Sequence, residues 1–172
     1  LIKKHKPRFN VLLRDDKSFP YIFISSEHDF PRIEKHRGSK NKQGRYYGPF
    51  ASPDAVNRTI NTIQRIFLLR SCTDREVAAG NKLCFNYYLK RCSGPCGGKI
   101  TKEEYAKLIE SADEFLSSGK SKNIEKNFTK QMYKASKVKN FELAASLRDR
   151  LKALKHIAQN NSIKIKDIKN AD

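Results

Sequence analysis

All four cysteines of the chain lie in one stretch, as Cys72, Cys84, Cys92 and Cys96, with the spacing C-x11-C-x7-C-x3-C. The turn Ser93-Gly94-Pro95 and the pair Gly97-Gly98 lie within and just after it. Gly and Pro let the backbone fold sharply there, so that thiolates can converge on one point. Four thiolates are the ligand set of a structural zinc ion or an iron–sulfur cluster. Either centre carries residual negative charge, and Arg70, Arg75, Lys82, Lys90, Arg91 and Lys99 are close in sequence to offset it. Two disulfides, or four unrelated buried cysteines, are the plainer readings. No secretory apolar segment is present, and thiols in the cytosol stay reduced. Zinc ribbons usually carry C-x2-C knuckles; none is found here, and that leans the spacing toward iron–sulfur.

At 172 residues the chain has the length of one domain or two small ones. Hydrophobic residues make up only 38% and the mean hydropathy is −0.73, so several small cores are expected, not one large core. The formal charge is +18 and it is uneven: residues 1–50 hold 12 basic and 5 acidic side chains, residues 51–119 hold 10 and 8, and residues 120–172 hold 14 and 5. Such a balance suits nucleic acid or an acidic protein surface, although Lys-rich solvated faces alone would produce it too. No apolar run approaches the ~20 residues of a membrane span. The expectation is a cytoplasmic protein with no membrane contact. The chain opens on Leu1-Ile2-Lys3, and its single methionine is Met132, so it reads as a fragment, a trimmed chain or the translation of an interrupted gene.

The local patterns place elements along the chain. Leu1 to Lys6 reads as the last turn of a helix stopped by Pro7. Phe9–Arg14 and Tyr21–Ile24 are strand-forming runs on either side of the turn Asp15-Asp16-Lys17-Ser18, a plausible hairpin. Asp15 and Asp16 suit that turn and do not read as a catalytic pair. Arg37, Lys40, Lys42 and Arg45 flank a loop, after which Tyr46 and Tyr47 return as a short strand. Cations beside aromatics suit phosphate contact and base stacking, and Lys90 with Arg91 extend the same set. Rings that merely pack are the competing reading for both tyrosines.

Helices follow. Ser52-Pro53-Asp54 is a helix start, and Val56, Ile60, Ile63 and Phe67 form a stripe at helical spacing. Thr101-Lys102-Glu103-Glu104 is a capping box, with Tyr105, Leu108, Ile109, Ala112, Phe115 and Leu116 on one face and Gly119 at the end. Two further helices, about 123–138 and 140–160, are joined by a short break and should pair antiparallel. Such a hairpin on its own cannot bury both faces, which leaves an apolar strip for a partner. The fold class is therefore α+β.

Longer motifs then carry a resemblance. The run L-I-K-K-H-K-P-R-F-N-V-L-L-R-D-D-K-S-F-P-Y-I resembles the end of the GIY-YIG nuclease domain of the UvrC family, the incision subunits of bacterial nucleotide excision repair. The stretch F-L-L-R-S-C before the cysteines and the four cysteine separations are similar to that family too. Q-M-Y-K-A-S-K-V-K-N-F-E-L-A-A-S-L-R-D-R-L-K-A-L resembles the UVR motif, which pairs UvrC with UvrB. The resemblance implies a [4Fe–4S] cluster on Cys72, Cys84, Cys92 and Cys96, with Zn2+ as the alternative. It implies UvrB docking through Phe141, Ala144, Ala145, Leu147, Arg148 and Leu151. It implies contact with damaged double-stranded DNA, which the parent enzymes incise on both sides of a lesion. Of the GIY-YIG site only Asn10 falls on this chain. The tyrosines, arginine and glutamate that would work with Mg2+ or Mn2+ in the parent nuclease fall upstream of Leu1. One departure is Lys82-Leu83-Cys84, where the family usually has Arg-Pro before its second cysteine. The implied division is the end of a nuclease domain at 1–25, a basic loop and cysteine module at 26–119, a UVR hairpin at 120–160 and a basic tail at 161–172. The reading from another class is a metal-bearing adaptor that binds nucleic acid and a UVR partner without chemistry.

Overall fold

The computed structural model describes residues 19–80, 82–119 and 121–169, with side chains through 158. Asn10 and the expected strand Phe9–Arg14 lie outside the described residues. Three strands, β1 (Tyr21–Ser25), β2 (Ile33–His36) and β3 (Gly44–Tyr47), form an antiparallel sheet in the order β2-β1-β3. Successive side chains of a strand point to opposite faces, and β1 has both faces covered. Ile22 and Ile24, with Ile33 from β2, face the core, while Phe23 turns to the other side and packs against the rings of His36 and Tyr46. The strand expected at Tyr21–Ile24 is thus present, and among the described residues its partners are β2 and β3. β2 lies in a segment that sequence patterning leaves as a basic loop.

Helix α1 (Pro53–Phe67) starts as its sequence demands. The Ser52 side chain accepts from the Asp54 N–H, and Pro53 takes the first helical position. Leu68 ends the helix in the left-handed conformation with φ 55°, and its N–H donates to Gln64 O. The stripe Val56, Ile60, Ile63 and Phe67 is buried, as is Ile66. Each fully buried aliphatic or Phe side chain of this kind is worth about 1.5–3 kcal/mol.

Two short helices, α2 (Asp74–Ala79) and α3 (Phe85–Tyr88), and a 3-10 turn at Pro95–Gly97 carry the chain through the cysteine stretch. Helix α4 (Lys102–Ser118) opens on the reciprocal capping box of Thr101 and Glu104 and closes on Gly119, at φ 63°. Helices α5 (Lys122–Lys137) and α6 (Phe141–Lys169) form the expected antiparallel hairpin. Asn140 caps α6 by accepting from Leu143 N–H at 3.1 Å. The backbone of α6 continues nine residues beyond the expected end near 160, through a Lys- and Ile-bearing run free of Gly and Pro.

One expectation needs correction. Among the described residues most buried apolar side chains belong to one core, not to several small ones. One continuous core joins Ile22, Ile24 and Ile33 of the sheet to α1, to Tyr105, Ile109 and Phe115 of α4, and to Ile124, Phe128, Leu147 and Leu154 of the hairpin. The reason is the central position of α1, which packs against β1 and β2, α4 and α6 together. The limited apolar content is gathered around this helix, not dispersed. The hairpin is accordingly not free-standing. Arg150 reaches from α6 to donate its Nε–H to Ile66 O at the end of α1, and its guanidinium lies 4.5 Å from the Phe128 ring centre. Burial alone pulls the Arg150 pKa down to about 10.

A candidate cysteine centre and a docking hairpin

The cysteine module hangs on the end of α1. The left-handed turn at Leu68 is pinned by Ser93 N–H donating to Leu68 O at 2.9 Å, which draws the Cys92–Cys96 loop back onto the helix terminus. Next comes Arg70, whose side chain is fully buried. Its Nε–H donates to Phe30 O at 2.6 Å, one Nη donates to Cys72 O at 2.8 Å, and the other pairs with Asp74 at the start of α2. Its backbone N–H donates to the Tyr105 hydroxyl at 3.1 Å, and that hydroxyl donates to Pro31 O at 2.9 Å. One guanidinium thus ties the β1–β2 connection, the backbone at Cys72 and α2 together. Sequence reading assigned Arg70 only a share in offsetting charge, because burial cannot be seen from its neighbours.

All four cysteines are free thiols; Cys92 and Cys96 are buried, Cys72 and Cys84 half-buried. Burial raises the Cys72 pKa against the pull of Arg70, and Cys96 and Cys84 add to the rise. Burial pushes Cys92 up to about 12, with Cys84, Cys72 and Cys96 contributing in the same direction, while the Gly94 N–H at 3.5 Å from its Sγ opposes them. Cys84 and Cys96 thus disfavour ionisation of both Cys72 and Cys92, and Cys72 does the same to Cys92. Among the described residues no three His, Cys, Asp or Glu side chains are gathered into a group that could hold a metal ion. The soft donor set suits zinc or iron–sulfur in kind, and the thiols are neighbours without being preformed into a coordination shell.

The candidate nucleic-acid residues take varied positions. Lys42 Nζ pairs with Glu34 at 3.0 Å, and Arg45 pairs with Asp113. Lys40 lies 4.3 Å from the Tyr21 ring centre. Tyr46 exchanges hydrogen bonds with the backbone of Lys42, and Tyr47 donates to Asp113. Both tyrosines thus have packing and hydrogen-bond work within the fold. Arg37 is exposed beside β2. Lys90 pairs with Glu142 in the first turn of α6, joining the cysteine module to the hairpin, while Arg91 is exposed.

In the hairpin, Phe141 is 66% exposed, with Val138 at 75% and Leu143 at 48% beside it in sequence. Arg148 is exposed, Ala144, Ala145 and Leu151 are half-buried, and Leu147 is sealed in the core at 1%. The exposed apolar residues cluster at the α5–α6 turn; Val138 reads from the sequence as part of an apolar helix face, and Leu143 was not singled out. The capped break at Lys139-Asn140 was the signal that could have placed both at an exposed tip.

A small sheet and a central helix lead into a stretch that holds four thiols, and a helical hairpin with an apolar tip follows. Residues 19–115 match the family model for the UvrC/Cho excinuclease middle domain, and residues 126–157 match the UvrB/uvrC motif. The chain belongs to the UvrC family. It is 49% identical over all 172 of its residues to the UvrABC system protein C of Cereibacter sphaeroides, covering 27% of that protein. It is 49% identical to that of Sphingopyxis alaskensis, again over the whole chain and 27% of the relative. For Novosphingobium aromaticivorans the figures are 48% identity, the whole chain and 26% of the relative. The chain thus spans about a quarter of the length of these curated relatives. No solved structure matches it. No helix among the described residues is long and apolar enough to cross a membrane.

Proposed function

We propose that this chain is the bracing middle portion of a nucleotide excision repair subunit that incises damaged DNA on both sides of a lesion in the cytoplasm. Its hairpin docks UvrB, its cysteines hold a [4Fe–4S] cluster, with Zn2+ as the alternative ion, and its basic surface contacts the damaged duplex. The Mg2+- or Mn2+-dependent chemistry belongs to other parts of the parent enzyme.

The observation that carries this reading is the apolar tip of the hairpin. Its lower half is spent on the core through Leu147 and Leu154, whereas Val138, Phe141 and Leu143 face outward. Apolar side chains of that size left in water favour a partner that covers them, and a second hairpin presents the matching surface. For the cysteines, support comes from donor chemistry and neighbourhood. Cys72, Cys84, Cys92 and Cys96 would hold the cluster as thiolates, and the cluster would supply a covalent brace across the module. Arg70 holds the Cys72 backbone and places a fixed positive charge beside a site that carries negative charge when loaded.

Calorimetric titration of the chain with UvrB tests the docking. Phe141→Asp should weaken binding by at least tenfold while leaving the melting temperature and metal content unchanged, because the side chain is mostly exposed. Binding that is unchanged in this variant places the contact elsewhere.

A further inference from the structure

A cleft of about 400 Å3 opens between the last turn of α1 and the cysteine module. Its polar lining is Asn61, Gln64, Arg65, Ser71, Asn86 and Arg91, and it contains no carboxylate. Arg65 and Arg91 are both exposed, and no ion pair engages either among the described residues. The Asn86 amide donates to Ser71 Oγ at 2.9 Å, so the Ser71 hydroxyl proton is left to donate to something else. Arg65 and Arg91 also border a second cleft of about 360 Å3, in which Arg150 adds a cation and Lys90 is already paired with Glu142. The acid there, Asp149, is held by Arg148. A pocket in which guanidiniums, an amide and a hydroxyl converge without a compensating anion is built for an anionic ligand, and the planar guanidinium fork matches phosphate best.

The same short helix that supplies Asn86 exposes two rings: Phe85 is 74% and Tyr88 is 67% solvent-accessible. On a helix these two positions, three apart, share one side, and Asn86 stands about 100° round from Phe85. Large exposed rings close in sequence to a residue of a cationic cleft fit a ligand that has both a charged backbone and flat apolar faces. That combination is a nucleic-acid strand with an unstacked base.

We propose that Arg65 and Arg91, with Ser71 and Asn86, form a phosphodiester-binding subsite, and that Phe85 and Tyr88 receive a base unstacked beside the bound phosphate. This rests on the reading of the chain as a DNA-contacting module and deepens it, since neither Arg65 nor the ring pair belongs to the basic loop at 37–45. The site favours single-stranded or locally opened DNA over intact duplex.

The test is fluorescence anisotropy of the full chain with a labelled single strand and the corresponding duplex, each measured across a salt series. The double variant Arg65→Gln/Arg91→Gln is compared with Lys107→Gln/Lys130→Gln, which removes equal charge at exposed positions outside both clefts. The first pair should weaken single-strand binding by roughly tenfold or more and lower the salt slope by about 0.7 for each phosphate that is no longer neutralised, while the second pair weakens it much less. Phe85→Ala/Tyr88→Ala should reduce the preference for single strand without changing the slope. Equal losses from the two charge pairs overturn the subsite, as does an unchanged strand preference in the ring variant. Circular dichroism identifies any variant that has lost its fold, and single Arg65→Lys and Arg91→Lys variants, which keep the charge but lose the fork, then decide. If the parent chain binds no DNA, the nucleic-acid reading itself falls, and titration with inorganic phosphate followed at the arginine Nε–H resonances decides whether an anion site exists. Tighter binding of an acidic peptide than of DNA, lost in the same arginine variant, overturns the phosphate assignment in favour of a protein partner.

Discussion

Replacing Arg70 with Met isolates the buried guanidinium that organises the cysteine module. Methionine keeps the apolar stem about as far as the Nε position and removes the guanidinium donors. Phe30 O and Cys72 O then lose partners at 2.6 and 2.8 Å. A buried group stripped of its hydrogen bond costs about 1–3 kcal/mol, and both carbonyls belong to half-buried residues, which places the pair near the lower half of that range. The ion pair with Asp74 adds little, because Asp74 is 64% exposed and screened. The total is about 3 kcal/mol. At roughly 2–4 °C per kcal/mol for a chain of this size, metal-free protein should melt about 6–12 °C lower. Thermal unfolding followed by circular dichroism in the presence of chelator measures it.

A second signature is the pH dependence of that loss. The Arg70 hydrogen bond holds the Asp74 carboxyl below the usual carboxylate range. A depressed folded value contributes stability above the unfolded pKa and loses it as pH falls through the folded one. The wild-type chain should therefore lose more stability on acidification than Arg70→Met does. A melting shift under about 2 °C, with parallel acid limbs, would refute the role given to Arg70.

Two other substitutions probe the frame around the site. Tyr105→Phe removes a buried hydroxyl that accepts from Arg70 N–H and donates to Pro31 O, and should cost about 2–4 kcal/mol in chemical denaturation; a near-neutral result would mean water replaces the hydroxyl. Gly44→Ala should destabilise the sheet by about 2 kcal/mol or more, because φ is +153° and the new Cβ would sit 2.2 Å from Ile24 O; unaltered stability would mean β3 can shift away from β1.

The sequence made the helices legible because their signals are local. Ser52-Pro53-Asp54, the Thr101–Glu104 box and Asn140 each act within one turn, and the stripe on α1 follows from spacing alone. What escaped depends on contacts distant in sequence. β2 exists because Ile33 pairs opposite Ile24, and a four-residue strand with Glu, Lys and His shows little alternation of its own. The single core follows from the placement of α1 between sheet, α4 and hairpin, which no window along the chain reports. At the site, the cysteines were readable by type and spacing, whereas the burial of Arg70 and the meeting of Arg65 with Arg91 arise from the Leu68 turn. The tyrosines at 46 and 47 show the reverse: their neighbours invite a stacking role, yet their hydroxyls are already bonded within the fold.

The most direct measurement is iron and acid-labile sulfide in anaerobically isolated chain, set beside the Cys92→Ser variant. The account predicts a brown protein with iron and sulfide in the equal ratio of a [4Fe–4S] centre, and loss of both when the buried Cys92 is replaced. Stoichiometric zinc without iron would make the centre a zinc site, and parent protein carrying neither metal, with all four thiols titrating as free, would contradict a metal centre altogether.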